Sequence, residues 1–160
     1  FGNGHPLGAV LTTRAVAEAF HTGMEYFNTF GGNPVSATIG LEVLRILDDE
    51  ALPEHASRMG LYLKKNLAEL AVANPIIGDV RGEGLFLGFE LVADPGTKMP
   101  ATRAAGYLVN RMRTLGILMS TDGPDDNVIK IKPPMCITRE QIDLCLQLLS
   151  QTLKEDAMQI

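Results

Sequence analysis

Lys130 and Lys132 stand two apart in the run Lys130-Ile131-Lys132-Pro133-Pro134, and on an extended chain that spacing sends both ammonium groups to one side. Such a pair suits a compact phosphate and suits solvent equally well. Lysine is a point charge without the guanidinium fork that grips a carboxylate in two places, so a forked carboxylate contact is the wrong expectation here. A second kind of anion chemistry is open to the glycine turns Gly2-Asn3-Gly4 and Phe30-Gly31-Gly32. Their backbone amides can face an anion, and turns that merely need positive φ have the same composition. Cys136 and Cys145 lack a Cys-x-x-Cys or His-rich setting, and read as small buried hydrophobes in a reducing compartment. His5, His21 and His55 are never four apart, so no metal site is expected.

The 160 residues leave room for one ordinary domain or two small lobes, with 46% hydrophobic and 21% charged residues, enough to bury a core. A net charge of −5 without long single-sign blocks argues against nucleic acid and membrane surfaces as partners. The longest apolar runs, such as Leu85 to Phe89, fall far short of the roughly 20 residues a bilayer span needs, and no basic-then-apolar signal opens the chain. The expectation is a soluble, cytoplasmic protein, with a mitochondrial location left open.

The elements that must position these groups follow from periodicity and punctuation. Thr13 to Phe20 reads as a short helix and Gly23 to Gly32 as a loop. Asn33-Pro34 is a cap followed by proline at the first helical position, opening a helix with stripe Val35, Ile39, Val43, Ile46 and Leu47. Pro53 starts another, with Met59, Leu63, Leu67 and Leu70 inward, Arg58, Lys64 and Lys65 on the polar side, and Asn74-Pro75 as its stop. Strands are predicted at Ile76 to Val80, Leu85 to Val92, Ile117 to Met119 and Val128 to Lys132. Arg81-Gly82-Glu83-Gly84 is read as a connection and Thr121 to Asn127 as an exposed loop. Ala101 to Leu115 is a helix stopped by Gly116, and Thr138 with Gln141 forms a capping box for the last helix, striped by Ile142, Cys145, Leu146, Leu149 and Leu153. The pattern is that of an α/β or α+β lobe with helices on one face of a small sheet.

Three stretches carry a resemblance to a known family: Phe1 to Leu11, Glu25 to Gly40, and Arg81-Gly82-Glu83-Gly84-Leu85-Phe86-Leu87-Gly88-Phe89-Glu90-Leu91. In this order they resemble the class III aminotransferases, which depend on pyridoxal phosphate. The resemblance runs nearly the whole length and corresponds to the C-terminal part of family chains, a fragment of the fold type I architecture. It implies that residues 1–50 are the end of the cofactor-binding large domain with an interdomain helix, and residues 51–160 the C-terminal small domain. Thr29 matches the threonine that binds the cofactor phosphate of the neighbouring subunit across a homodimer, with Asn28 beside it. The Schiff-base lysine of the family lies just before the loop that opens at Phe1. The chain as given is therefore expected to be inactive alone.

Ser120 to Pro124 with Asn127 to Pro134, together with Gly4-His5-Pro6 and Phe27-Asn28, is similar to the phospho-lyase branch of that family, which acts on ethanolamine phosphate and 5-phosphohydroxy-lysine. Many family members have arginine where Lys130 stands, for a substrate carboxylate. The resemblance thus implies a phosphorylated amine as substrate, Lys130 and Lys132 as its phosphate ligands, and elimination of phosphate to leave an aldehyde and ammonia. An ordinary class III transaminase passing an amino group to an oxo acid is the competing expectation. An inactive dimerisation module is the third. Arg81 is expected to be structural, and the Val35 to Leu47 helix to present an uncovered apolar face that favours self-association.

Overall fold

The computed structural model describes residues 1–159, which fall into two compact units, Phe1–Ala51 and the residues from Leu52 onward. In the first unit the opening turn, closed by a bridge between Gly2 and His5, leads to helix α1 (Arg14–Phe20) and then α2 (Pro34–Asp49). The Asn33 side chain accepts from the Val35 and Ser36 amides, at 2.9 and 3.2 Å, so the predicted cap is present with Pro34 behind it. His5 Nε2 meets Ser36 Oγ at 2.8 Å, tying the opening turn to the first turn of α2. No large apolar side chain of this unit belongs to the buried core. Ile39, Val43 and Leu47 are half-buried, whereas Val35, Leu41, Leu44 and Ile46 are exposed.

The second unit contains helix α3 (Leu52–Ala73), strands β1 (Ile77–Glu83), β2 (Phe86–Asp94) and β3 (Met99–Pro100), helix α4 (Thr102–Thr114), strands β4 (Ser120–Asp122) and β5 (Val128–Ile131), helix α5 (Arg139–Thr152) and a closing 3-10 turn, Asp156–Met158. The sheet is antiparallel in the order β1-β2-β5-β4, with β3 added at the end of β2. Leu87, Phe89 and Leu91 of β2 and Ile129 and Ile131 of β5 point to one face, where they meet Leu63 and Leu67 of α3, Leu108 and Met112 of α4, and Ile142 and Leu149 of α5. These alternating strand positions and helical stripes make one continuous core. Phe89, at 0% exposure, is its centre.

Three expectations need correction. Arg81 to Glu83 continue β1, and the hairpin turns on Gly84 and Leu85. The turn is this tight because Gly60 of α3 lies against it: a Cβ at Gly60 would overlap the Gly84 carbonyl, and Gly84 itself has φ +53°. Strand β4 begins at Ser120, after the apolar triplet Ile117 to Met119, because the Ile117 amide is still bonded to the Met112 carbonyl at 2.9 Å as the chain leaves α4. Thr121 and Asp122 are consequently strand residues, and the loop shrinks to a turn over Gly123 to Asp126. Buried Asn127 anchors that turn, donating to the Leu91 carbonyl at 2.9 Å and to Glu90 Oε1 at 3.2 Å.

Candidate functional site

The sheet face opposite the helices carries the chemistry of the second unit. Strand register sets its side chains in rows: Asp79, Glu90, Val128 and Asp122 form one, and Arg81, Gly88, Lys130 and Ser120 the next. Extending the β2–β5 register by one residue brings Lys132 opposite Phe86, beside Glu83. Gly88 is the bare position between Arg81 and Lys130, and a Cβ there would come within 3.0 Å of the Ile129 carbonyl oxygen. The absent side chain leaves an open cleft of about 440 Å³, lined by Arg81, Glu83, Phe86, Asp122 and Lys130 among others.

The cations of this face are mostly engaged. Lys130 Nζ donates to Asp122 Oδ2 at 2.6 Å, and the Gly123 amide donates to Asp122 Oδ1 at 2.9 Å. The Lys130 hydrogen bond, then the Gly123 amide, and further the Lys132 charge hold the Asp122 carboxyl below the usual carboxylate range. The Arg81 guanidinium is bonded by one nitrogen to Asp79 at 2.6 Å and to Glu90 at 2.9 Å, which raises its pKa further and keeps it charged. Lys132 has no carboxylate partner among the described residues, and its ammonium stands 5.7 Å from the Phe86 ring centroid. Lys130 and Lys132 thus share one face, as their spacing predicted. Only Lys130 lines the cleft itself; Lys132 stands at its rim and also borders a second cavity with Leu63, Ile117, Pro133 and Ile142.

Thr29 and Asn28 belong to the first unit, in the turn before α2. Asn28 closes that turn itself, its Oδ1 accepting from the Phe30 amide and its carbonyl from the Gly31 amide, both at 3.1 Å. The Thr29 hydroxyl and amide have no partner among the described residues and are exposed, next to Gly31 and Gly32. A free hydroxyl and a free amide beside a glycine turn are the donor set that a phosphate group takes. The turn, shaped by Asn28, thus offers donors that suit a phosphate group such as that of pyridoxal phosphate.

Sequence reasoning missed Asp122, which it left in a loop, and the pairing of Arg81 with Asp79 and Glu90. The alternation of Asp79, Arg81 and Glu83 along one strand was the available signal, obscured by reading the Gly82 and Gly84 positions as a turn. Lys64, assigned to solvent, instead donates to the Gly82 carbonyl at 2.9 Å and braces the hairpin. Among the described residues no cluster of His, Cys, Asp and Glu could hold a metal ion, and no helix is long and apolar enough to cross a membrane.

The family model described as Aminotransferase class-III matches residues 1–153. The chain is 53% identical over 144 residues to an alanine–glyoxylate aminotransferase 2-like protein of Drosophila melanogaster, covering 89% of this chain and 29% of that protein. It is 40% identical over 153 residues to ethanolamine-phosphate phospho-lyase homolog 1 of Caenorhabditis elegans, covering 95% of this chain and 33% of that one. Among solved structures, a phospholyase from Arthrobacter in complex with phosphoethanolamine superposes with a TM-score of 0.87 at 43% identity, over 95% of this chain and 36% of that chain. The chain therefore spans about a third of the length of the curated relatives it matches.

Proposed function

Since this chain belongs to the class III aminotransferases, we propose that it is the C-terminal part of a pyridoxal-phosphate enzyme whose reaction is elimination of phosphate from a phosphorylated amine. The observation that carries the reading is the pair Lys130 and Lys132 on one face of the sheet, with Lys130 lining the cleft and Lys132 free of any carboxylate among the described residues. A phosphate monoester needs compact positive charge and accepts hydrogen bonds from several directions, which two ammonium groups supply. The relative named for phospho-lyase chemistry, and the neighbour holding phosphoethanolamine, support the same substrate class.

Pyridoxal phosphate, when bound, supplies an electron sink that makes the C–H bond beside the amine nitrogen acidic. The contribution of this chain would be binding and orientation. The Thr29 hydroxyl and amide would hold the cofactor phosphate of a neighbouring subunit in a homodimer, as the family resemblance implies. Lys130 and Lys132 would hold the substrate phosphate so that its C–O bond is the one that breaks. The electron pair left by the departing proton becomes the new C=C bond as phosphate leaves, and hydrolysis of the resulting enamine gives an aldehyde and ammonia. The Schiff-base lysine that takes the proton is proposed to lie outside these 160 residues, as the family resemblance implies.

Transfer of an amino group to an oxo acid is the second reading. It is favoured by the Lys130–Asp122 pair, which offsets the charge a phosphate would need, and by the aminotransferase name of the Drosophila relative. Inorganic phosphate released from phosphoethanolamine by the full-length protein, with pyridoxal phosphate and no oxo acid, tests the proposal. Release is the expected result. No release, with amino transfer once pyruvate or glyoxylate is supplied, would replace it with the second reading.

A further inference from the structure

We infer that Asp122 is a built-in counter-anion to the proposed phosphate position, competing with substrate and product phosphate for the Lys130 ammonium and so setting how tightly that position holds an anion. The inference rests on the phospho-lyase reading of the cleft and concerns a residue that reading does not use. Asp122 lies diagonally across the β4–β5 pair from Lys130, on the same face, and its Oδ2 is 2.6 Å from the ammonium. Its short side chain is fixed from the other side by the Gly123 amide at 2.9 Å, in a turn where Gly123 has φ +85°. The lysine has four rotatable carbons and the aspartate is pinned, so the ammonium is the partner that moves. An anion entering the cleft must draw that ammonium away from a fixed carboxylate or share it at close range with a like charge.

The other cation in the same row offers no alternative, because Arg81 is already bonded to both Asp79 and Glu90. The row Arg81, Gly88, Lys130 therefore presents two positive groups, each with its own carboxylates, across the floor left bare by Gly88. Of Arg81, Lys130 and Lys132, only Lys132 has no carboxylate partner among the described residues, and it sits at the rim. A phosphate would be met first by Lys132 and held deeper only as Lys130 leaves Asp122. Since inorganic phosphate is itself a product of the proposed reaction, the competition also loosens product and keeps the cleft from being trapped.

The test is direct binding of inorganic phosphate to the full-length holoenzyme, followed by phosphorus NMR line width, in the wild type and in Asp122→Asn, Lys130→Met and the double variant. Removing the counter-anion is expected to tighten phosphate by about two- to fivefold, the span of a solvent-exposed ion pair. Lys130→Met is expected to weaken it, and Asp122→Asn in that background to change nothing further. Asp122→Glu, which keeps the charge, is expected to stay near the wild type, and Asp122→Ser provides a second neutral variant should the asparagine fold poorly. Unchanged or weaker phosphate binding in the neutral Asp122 variants, with Lys130→Met still harmful, would overturn the role of Asp122 and leave the phosphate reading standing. Phosphate binding indifferent to both Lys130→Met and Lys132→Met would overturn the phosphate reading and this inference together.

Discussion

Cys145 lies on α5 half-covered by the core, and burial pushes its thiol up to about 11, whereas Cys136, against the expectation that it is buried, is exposed in the segment before that helix. A raised thiol pKa leaves almost no thiolate near neutral pH, and the thiolate is the reactive form. Of these two thiols, Cys136 is expected to react with a disulfide reagent at pH 8 at least about tenfold faster than Cys145, a ratio that mass spectrometry of time points would measure. Gly60 makes a different kind of demand. Its missing Cβ is the space occupied by the Gly84 carbonyl, and neither backbone segment can move without disturbing α3 or the hairpin. Gly60→Val is expected to cost about 1–3 kcal/mol, read as a lower denaturant midpoint of the fragment from residue 52 onward. Neither residue touches the cleft, so neither effect depends on the proposed substrate.

At the scale of elements, helix starts were legible because their signals are local. The Thr138 hydroxyl accepts from the Gln141 amide at 3.3 Å while the Gln141 side chain accepts from the Thr138 amide at 3.0 Å, the reciprocal box that the two residue types and their spacing predict. Thr138→Ala is expected to destabilise the fold by about 1 kcal/mol, with the loss appearing in the unfolding midpoint. Strand ends were less legible, because a strand stops where its partner stops. β4 is short and polar at Ser120-Thr121-Asp122, while the more apolar Ile117 to Met119 has no strand partner among the described residues. Its register is dictated by the Gly123 to Asp126 turn and by Val128 to Lys130 across from it, which hydropathy along one segment does not report. That shift moved Asp122 from a loop onto the sheet, beside Lys130.

Across the whole molecule, every large buried apolar side chain of the core lies in the unit from Leu52 onward. That unit is expected to fold and unfold cooperatively as a separate fragment, whereas residues 1–51 expressed alone should give no cooperative transition, a contrast that circular dichroism during heating would reveal. Its stability should also fall in acid. Asp94, held by the Thr97 and Gly96 amides, Asp122, held by Lys130, Glu140, held by its own amide and the Thr138 side chain, and Glu155, held by Tyr107 and Arg111, all have carboxyls below their ordinary range. The folded state then binds fewer protons than the unfolded chain, so this contribution is complete above about pH 5.5 and is lost as pH drops through the lowered values. A melting temperature that failed to decline below about pH 4 would contradict those assignments. Composition, helix caps, alternating strand positions and the family motifs are local properties of the chain, which is why the helices, the core face and the family were legible in it. Which cations are free was decided only by tertiary structure, because Arg81, Asp79 and Glu90, like Lys130 and Asp122, become neighbours through strand register, which is set between segments rather than within one.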